Sequence, residues 1–312
     1  MAHRTMSYPP VPKFMSLQKR FLLVIGGWLI VMAMPGQEVL CQSAQNPSPM
    51  VEHTRAHPRL KQETPPGRRE KLELGTLFLP AKLKLKPTTP LFIHFHGGTW
   101  LPEVAADQIG KTAVISVQLG SGSSVYARPF ADAQLFAGLI AEAESKAGVR
   151  FAPISLTSWS AGYGAVRAIL KVPEHYARVD KVLLIDGLHA GYVGGKPGTG
   201  QLQESELEAA DLEIFLKFAR DAVAGRKRMM VTHSEIFPGT FASTTETADW
   251  LIAQLGQFGV KRKPVVKWGP MQTQQLSEAR AGKFLLLGFA GNTAPDHVDQ
   301  LHSLSQYLNW LR

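Results

Sequence analysis

The chain has 312 residues, 45% of them hydrophobic and 19% charged, with a formal net charge of +9. Such a length fits one large domain or two small ones, and such a composition excludes a disordered chain and needs no disulfide or metal to hold a core. The only cysteine is Cys41, which excludes an internal disulfide and leaves no thiol nucleophile in the body of the chain.

The first 44 residues carry a net charge of +3 and read as a targeting segment. Lys19 and Arg20 precede a 14-residue apolar run, 21–34, which Pro35 and Gly36 break. A positive flank, a short apolar core and a small polar end are the pattern of a signal peptide. The run is shorter than the roughly 20 apolar residues of a spanning helix. Cleavage is expected between Cys41 and Ala44, giving a secreted or periplasmic protein. The alternative is lipidation at Cys41, although Leu40 stands where a small residue is expected. Any membrane contact is therefore expected only through the signal segment or a lipidated Cys41.

Residues 45–70 are polar, proline-rich and without periodicity, so they read as a disordered linker. Nine basic residues fall between 45 and 86, Lys82, Lys84 and Lys86 among them. They form either a solvated rim or a surface that attracts anions. No basic stripe is interleaved with aromatics, so nucleic acid is not an expected partner.

From residue 71 to 312, short apolar runs alternate with amphipathic stretches. This pattern predicts an α/β domain with a mostly parallel central sheet flanked by helices on both faces. Strands are expected at 71–79 and 83–86, these two antiparallel, then at 91–96, 113–118, 154–157, 181–185, 229–232, 265–268 and 284–287. Helices are expected at 131–146, 161–171, 203–224, 244–256 and 298–311.

Three strand ends carry the chemistry. The strand at 154–157 runs into Ser158, Trp159, Ser160, Ala161 and Gly162, and a helix follows at once. Small residues on both sides of a serine suit a tight strand-to-helix turn. The helix N-terminus beneath the serine favours developing negative charge. The strand at 91–96 ends in His96, Gly97, Gly98 and Thr99, a loop whose backbone N–H groups can turn inward. The last core strand leads through a glycine-rich loop to His297 at a helix start; His302, within that helix, is a weaker candidate.

In order and content these parts resemble the α/β-hydrolase superfamily, its serine esterases and lipases above all. The resemblance spans about 240 residues, and Ser158 departs from it by replacing the first glycine of the Gly-x-Ser-x-Gly elbow. The resemblance implies Ser160 as nucleophile and His297 as base. It implies an oxyanion hole from Ala161 with Gly98 or Thr99. The acid is Asp186, at the end of the strand 181–185, or alternatively Glu235, after the next strand. A carboxylic ester is the implied substrate, small or polymer-derived, and no cofactor is called for. Trp100, Tyr126, Trp159, His189, Tyr192 and His233 are candidate rim residues.

Three other readings remain open on the residues. His94 and His96, two apart on one strand, suit a metal-dependent hydrolase, with His233 and Asp186 nearby at strand ends. The Ser158 departure permits a non-catalytic binding protein on the same fold. Acyl transfer to an alcohol uses the same residues as hydrolysis.

Overall fold

The structure, a computed structural model, describes residues 59–195 and 206–311. The signal segment, Cys41 and residues 45–58 of the linker lie outside the described residues.

Ten strands, β1 (Gly67–Lys71), β2 (Thr76–Pro80), β3 (Thr88–Phe95), β4 (Ala113–Val117), β5 (Arg150–Trp159), β6 (Val179–Ile185), β7 (Arg228–His233), β8 (Arg262–Trp268), β9 (Gln274–Ala281) and β10 (Phe284–Phe289), form one sheet. Their order is β1-β2-β4-β3-β5-β6-β7-β10-β9-β8. From β4 through β10 in that order the neighbours pair parallel, while β1–β2, β2–β4, β10–β9 and β9–β8 pair antiparallel. The helices are α1 (Trp100–Ile109), α2 (Ser123–Phe130), α3 (Ala133–Ala147), α4 (Tyr163–Lys171), α5 (Pro173–Arg178), α6 (Glu213–Val223), α7 (Thr244–Leu255), α8 (Ala294–His302) and α9 (Leu304–Trp310).

Alternation along β3 explains why helices cover both faces. Leu91, Ile93 and Phe95 enter one core with Phe130, Phe136, Val166, Phe218 and Leu251. Phe92 enters the other with Leu101, Leu301, Tyr307 and Leu308. Parallel strands buried on both faces read as near-continuous apolar runs, as those at β3, β4 and β6 do.

Several sequence expectations change. The single strand expected at 71–79 is a hairpin, β1 and β2, closed where the Leu72 N–H meets the Gly75 carbonyl. Gly75 there has φ +96°, a conformation open to glycine. β1 also begins inside the expected linker. Its outward residues are polar, which hides the strand, and Arg69 anchors it by donating to Glu103 at 2.6 Å. The expected strand at 83–86 does not form, and its alternating lysines and leucines run along the surface. Of the long helix expected at 203–224, residues 203–205 lie outside the described residues, and the α-helix in the remainder is α6. Before it, Leu207 bridges to Tyr192, and Asp211 accepts from the Gly191 N–H and from Arg167. The closing helix is two, α8 and α9, with the break at Ser303. α1 escaped notice because it contains Pro102, which the first turn tolerates. β9 also went unread, because only alternate positions of it are buried.

Burial holds His94 well below the ordinary imidazole range, at about 3. Burial, then the nearby Arg262 charge, hold His233 at about 4. Both are neutral in the fold and take a proton on unfolding. Their stabilisation is complete above about pH 6.5 and is lost as pH falls toward 4. Urea denaturation should therefore show lower stability at pH 5 than at pH 7, with a slope of up to about 1.4 kcal/mol per pH unit for each such histidine.

Candidate active site

The C-terminal ends of β3, β5, β6 and β10 bring the candidate residues to one edge of the sheet. At the end of β5, Ser160 has φ +47°. A non-glycine residue held in that region is strained, and such strain concentrates at functional sites. The turn fits only because its neighbours are small. A Cβ on Gly162 would lie 2.1 Å from the Phe95 carbonyl oxygen, and one on Gly187 would lie 2.7 Å from the Ser160 carbonyl oxygen. The ends of β3 and β6 thus press directly against the turn at Ser160.

Asp186 also has positive φ, +41°, and is 1% exposed. Its carboxylate is nonetheless well supplied with donors. Oδ1 accepts from the Ser234 N–H at 2.9 Å and from Thr244 Oγ1 at 2.6 Å. Oδ2 accepts from Ser234 Oγ at 2.7 Å and from His297 Nδ1 at 2.7 Å. Burial alone would raise this carboxyl. The hydrogen bonds and charge of His297, with Thr244 and Ser234, outweigh it and hold the carboxyl well below the usual range. Asp186 is therefore a fixed anion, and it sets His297 with Nδ1 toward the carboxylate and Nε2 available.

His297 is the fourth residue of α8 and its side chain is 22% exposed. The N-terminus of α8 is fixed by Asp296, which accepts from the Thr293 N–H at 2.9 Å and from Thr293 Oγ1 at 2.7 Å. Trp159 holds the histidine from the other side. Its indole N–H donates to the His297 carbonyl at 2.9 Å, and the two rings lie 4.5 Å apart. Trp159 also stacks with His96, the rings 5.1 Å apart and 12° from parallel. Trp159 is thus a clamp between two imidazoles, where the sequence suggested a rim residue. Ser160 Oγ has no hydrogen-bond partner among the described residues, His297 included. Bonds of this kind often tighten only once substrate is bound.

Glu235 does not reach His297. It is exposed, its carboxylate accepts from the Gly291 N–H at 3.0 Å, and its own N–H donates to the Gly291 carbonyl at 2.9 Å. It ties down the loop that leads to α8. Gly98 and Thr99 are exposed at the start of α1, and Ala161 lies in the first turn after β5. The N–H groups of such a first turn have no acceptor within the helix.

Three rim candidates prove to be structural. Tyr126 is fully buried, and its hydroxyl accepts from the Leu119 N–H at 3.2 Å, donates to the Gly120 carbonyl at 3.0 Å and lies 2.9 Å from His96 Nδ1. Tyr192 is buried against Glu246. His233 is buried between Thr245 and Arg262, at 3.0 and 3.1 Å. Tyr126 within α2, Tyr192 in the loop after β6 and His233 at the end of β7 each turn a polar tip inward to a hydrogen-bond partner. His189 stays at the edge, with Nδ1 donating to the Ala242 carbonyl at 3.0 Å and its ring 4.9 Å from that of Phe241. Trp100 is partly exposed, edge-on to His302 at 5.7 Å.

The pair proposed for a metal is separated. His94 is buried with Nδ1 2.8 Å from Thr157 Oγ1, whereas the positive φ of His96, +72°, turns it toward Tyr126 and Trp159. Among the described residues, no group of three or more His, Cys, Asp or Glu is placed to hold a metal ion.

Sequence reasoning missed Ser234 and Thr244, which follow β7 and open α7 and carry no motif of their own. It also missed the part played by Trp159, whose position beside the serine was visible but whose partner, 138 residues away, was not.

A mostly parallel sheet in this strand order, with helices on both faces, is an α/β-hydrolase fold. No protein-family model matches the chain, and no curated protein sequence does. Among solved structures it is similar to a thermophilic esterase from Thermogutta terrifontis (15% identity, TM-score 0.44), over 79% of this chain and 93% of that one. It is similar to an acetyl xylan esterase from Aspergillus awamori (16% identity, TM-score 0.41), over 76% and 92%. A soluble variant of a monoglyceride lipase from Saccharomyces cerevisiae (9% identity, TM-score 0.40) matches over 82% and 100%.

Proposed function

We propose that this protein is a serine hydrolase that cleaves carboxylic esters through an acyl-enzyme on Ser160. The observation that carries the reading is the buried Asp186 carboxylate, fixed by Ser234 and Thr244 and bonded to His297 Nδ1 at 2.7 Å. It lies next to Gly187, which touches the strained Ser160 turn. A buried anion whose partners are an imidazole, two hydroxyls and a backbone N–H, with no basic side chain among them, serves to hold that imidazole in one tautomer.

In this mechanism Ser160 Oγ attacks the ester carbonyl carbon and its proton passes to His297 Nε2. The tetrahedral oxyanion is received by the N–H of Ala161 and that of Gly98 or Thr99. His297 then gives the proton to the departing alkoxide, and water repeats the sequence to release the acid and restore Ser160. Export of the mature chain, through the segment around residues 19–36, belongs to the same proposal.

The direct test is hydrolysis of p-nitrophenyl esters together with covalent labelling by a fluorophosphonate. A folded protein that shows neither reverts to the binding-protein reading. A second test addresses the clamp. In Trp159→Phe a ring remains between His96 and His297, but the hydrogen bond to the His297 carbonyl is lost. The expected result is a kcat about tenfold lower with KM little changed, since a displaced base costs transition-state rather than ground-state interaction.

A further inference from the structure

Two adjoining grooves of about 570 and 300 Å³ lie at the N-terminal ends of the parallel strands and share Pro90 and Lys111. Lys82, Lys84, Lys86 and Lys111 line the larger, and Lys181 lines the smaller together with Lys111. Neither lining contains a carboxylate. Lys82 pairs with Asp107 at 2.9 Å, whereas Lys84, Lys86 and Lys111 have no ion-pair partner among the described residues. Leu85 lies between Lys84 and Lys86 in the chain, outside the lining of either groove, and is 42% exposed.

We propose that this face docks on an anionic lipid surface. Lysines are mobile point charges, suited to a diffuse layer of anionic headgroups rather than to a single anion that needs a rigid fork of donors. Each lysine near such a surface strengthens partitioning about fivefold. Leu85 decides between a bilayer and a soluble polyanion. An exposed leucine among lysines gains nothing from a soluble polyanion, but is buried when it enters the boundary between headgroups and acyl chains. The same arrangement accounts for residues 82–86, whose alternating lysines and leucines pair with no strand.

The orientation is consistent with an enzyme that works outward. The grooves lie where β3 begins, and His96 and Ser160 lie where β3 and β5 end. The eight residues of β3 separate the two by about 25 Å. Docking by the base leaves the Ser160 edge open to solvent.

The test is co-sedimentation of the full chain with vesicles of phosphatidylcholine alone and of phosphatidylcholine mixed with phosphatidylglycerol. The expected result is tighter binding to the mixed vesicles that weakens with added salt. The combined variant Lys84→Gln, Lys86→Gln, Lys111→Gln should lose about tenfold or more of that binding. Leu85→Ser should weaken it at high salt as well as low. The apolar run at 21–34 is common to all variants and cancels in the comparison. Equal partitioning of the triple variant and the parent overturns the proposal. So does capture of the parent by dextran sulfate without binding to the mixed vesicles. None of these outcomes depends on whether Ser160 is catalytic.

Discussion

Replacement of Ser160 by alanine should lower kcat for ester hydrolysis by about 10⁴-fold or more and abolish fluorophosphonate labelling, while the melting temperature stays close to that of the parent. The first part follows from the proposed mechanism: without Oγ there is no acyl acceptor, and the remaining N–H donors and substrate binding retain only about 10³- to 10⁴-fold over water. The second follows from the structure. Ser160 is partly exposed and its Oγ has no hydrogen-bond partner among the described residues, so its removal leaves neither a cavity nor an orphaned donor. Alanine also keeps a Cβ, so the strain of the positive φ is unchanged. Labelling that persisted in the variant would move the nucleophile to another residue.

The sequence made the core sheet and the serine legible for definite reasons. β3, β4, β6 and β10 are buried on both faces, so their apolar runs stand out, and the turn at Ser160 tolerates only small neighbours. His297 was legible because it follows the last parallel strand after a glycine-rich loop. The choice between Asp186 and Glu235 was not, since both follow strand ends and the difference lies in where each side chain turns. Asp186 turns inward because its positive φ directs the carboxylate under His297, and Ser234 and Thr244 meet it there. Tyr126, within α2, and His233, at the end of β7, misled because a polar aromatic looks alike in sequence whether its tip faces solvent or a buried partner. The edges β1, β8 and β9 were blurred for a related reason, because a strand with one face in water carries only half of the apolar signal.

Asp186→Asn should lower kcat by about 10³- to 10⁴-fold, through the tautomer of His297 rather than through loss of the fold. At the Oδ1 position two donors converge, the Ser234 N–H and the Thr244 hydroxyl. An amide there must present its oxygen to them, so its NH₂ falls at the Oδ2 position, opposite His297 Nδ1. Ser234 Oγ, which donates to Oδ2, can rotate and accept instead. The NH₂ then donates to Nδ1, which forces the proton onto Nε2, and an Nε2–H cannot accept the proton of Ser160. Asp186→Ala should be worse for stability, since it leaves the Ser234 N–H and the Thr244 hydroxyl buried without an acceptor. Glu235→Gln provides the contrast. Its amide oxygen can still accept from the Gly291 N–H, so kcat should change by less than about tenfold and stability hardly at all. Steady-state kinetics of the three variants beside thermal melts distinguish these effects. A Glu235→Gln enzyme as impaired as Asp186→Asn would transfer the acid's role to Glu235 and leave the buried carboxylate with a structural one.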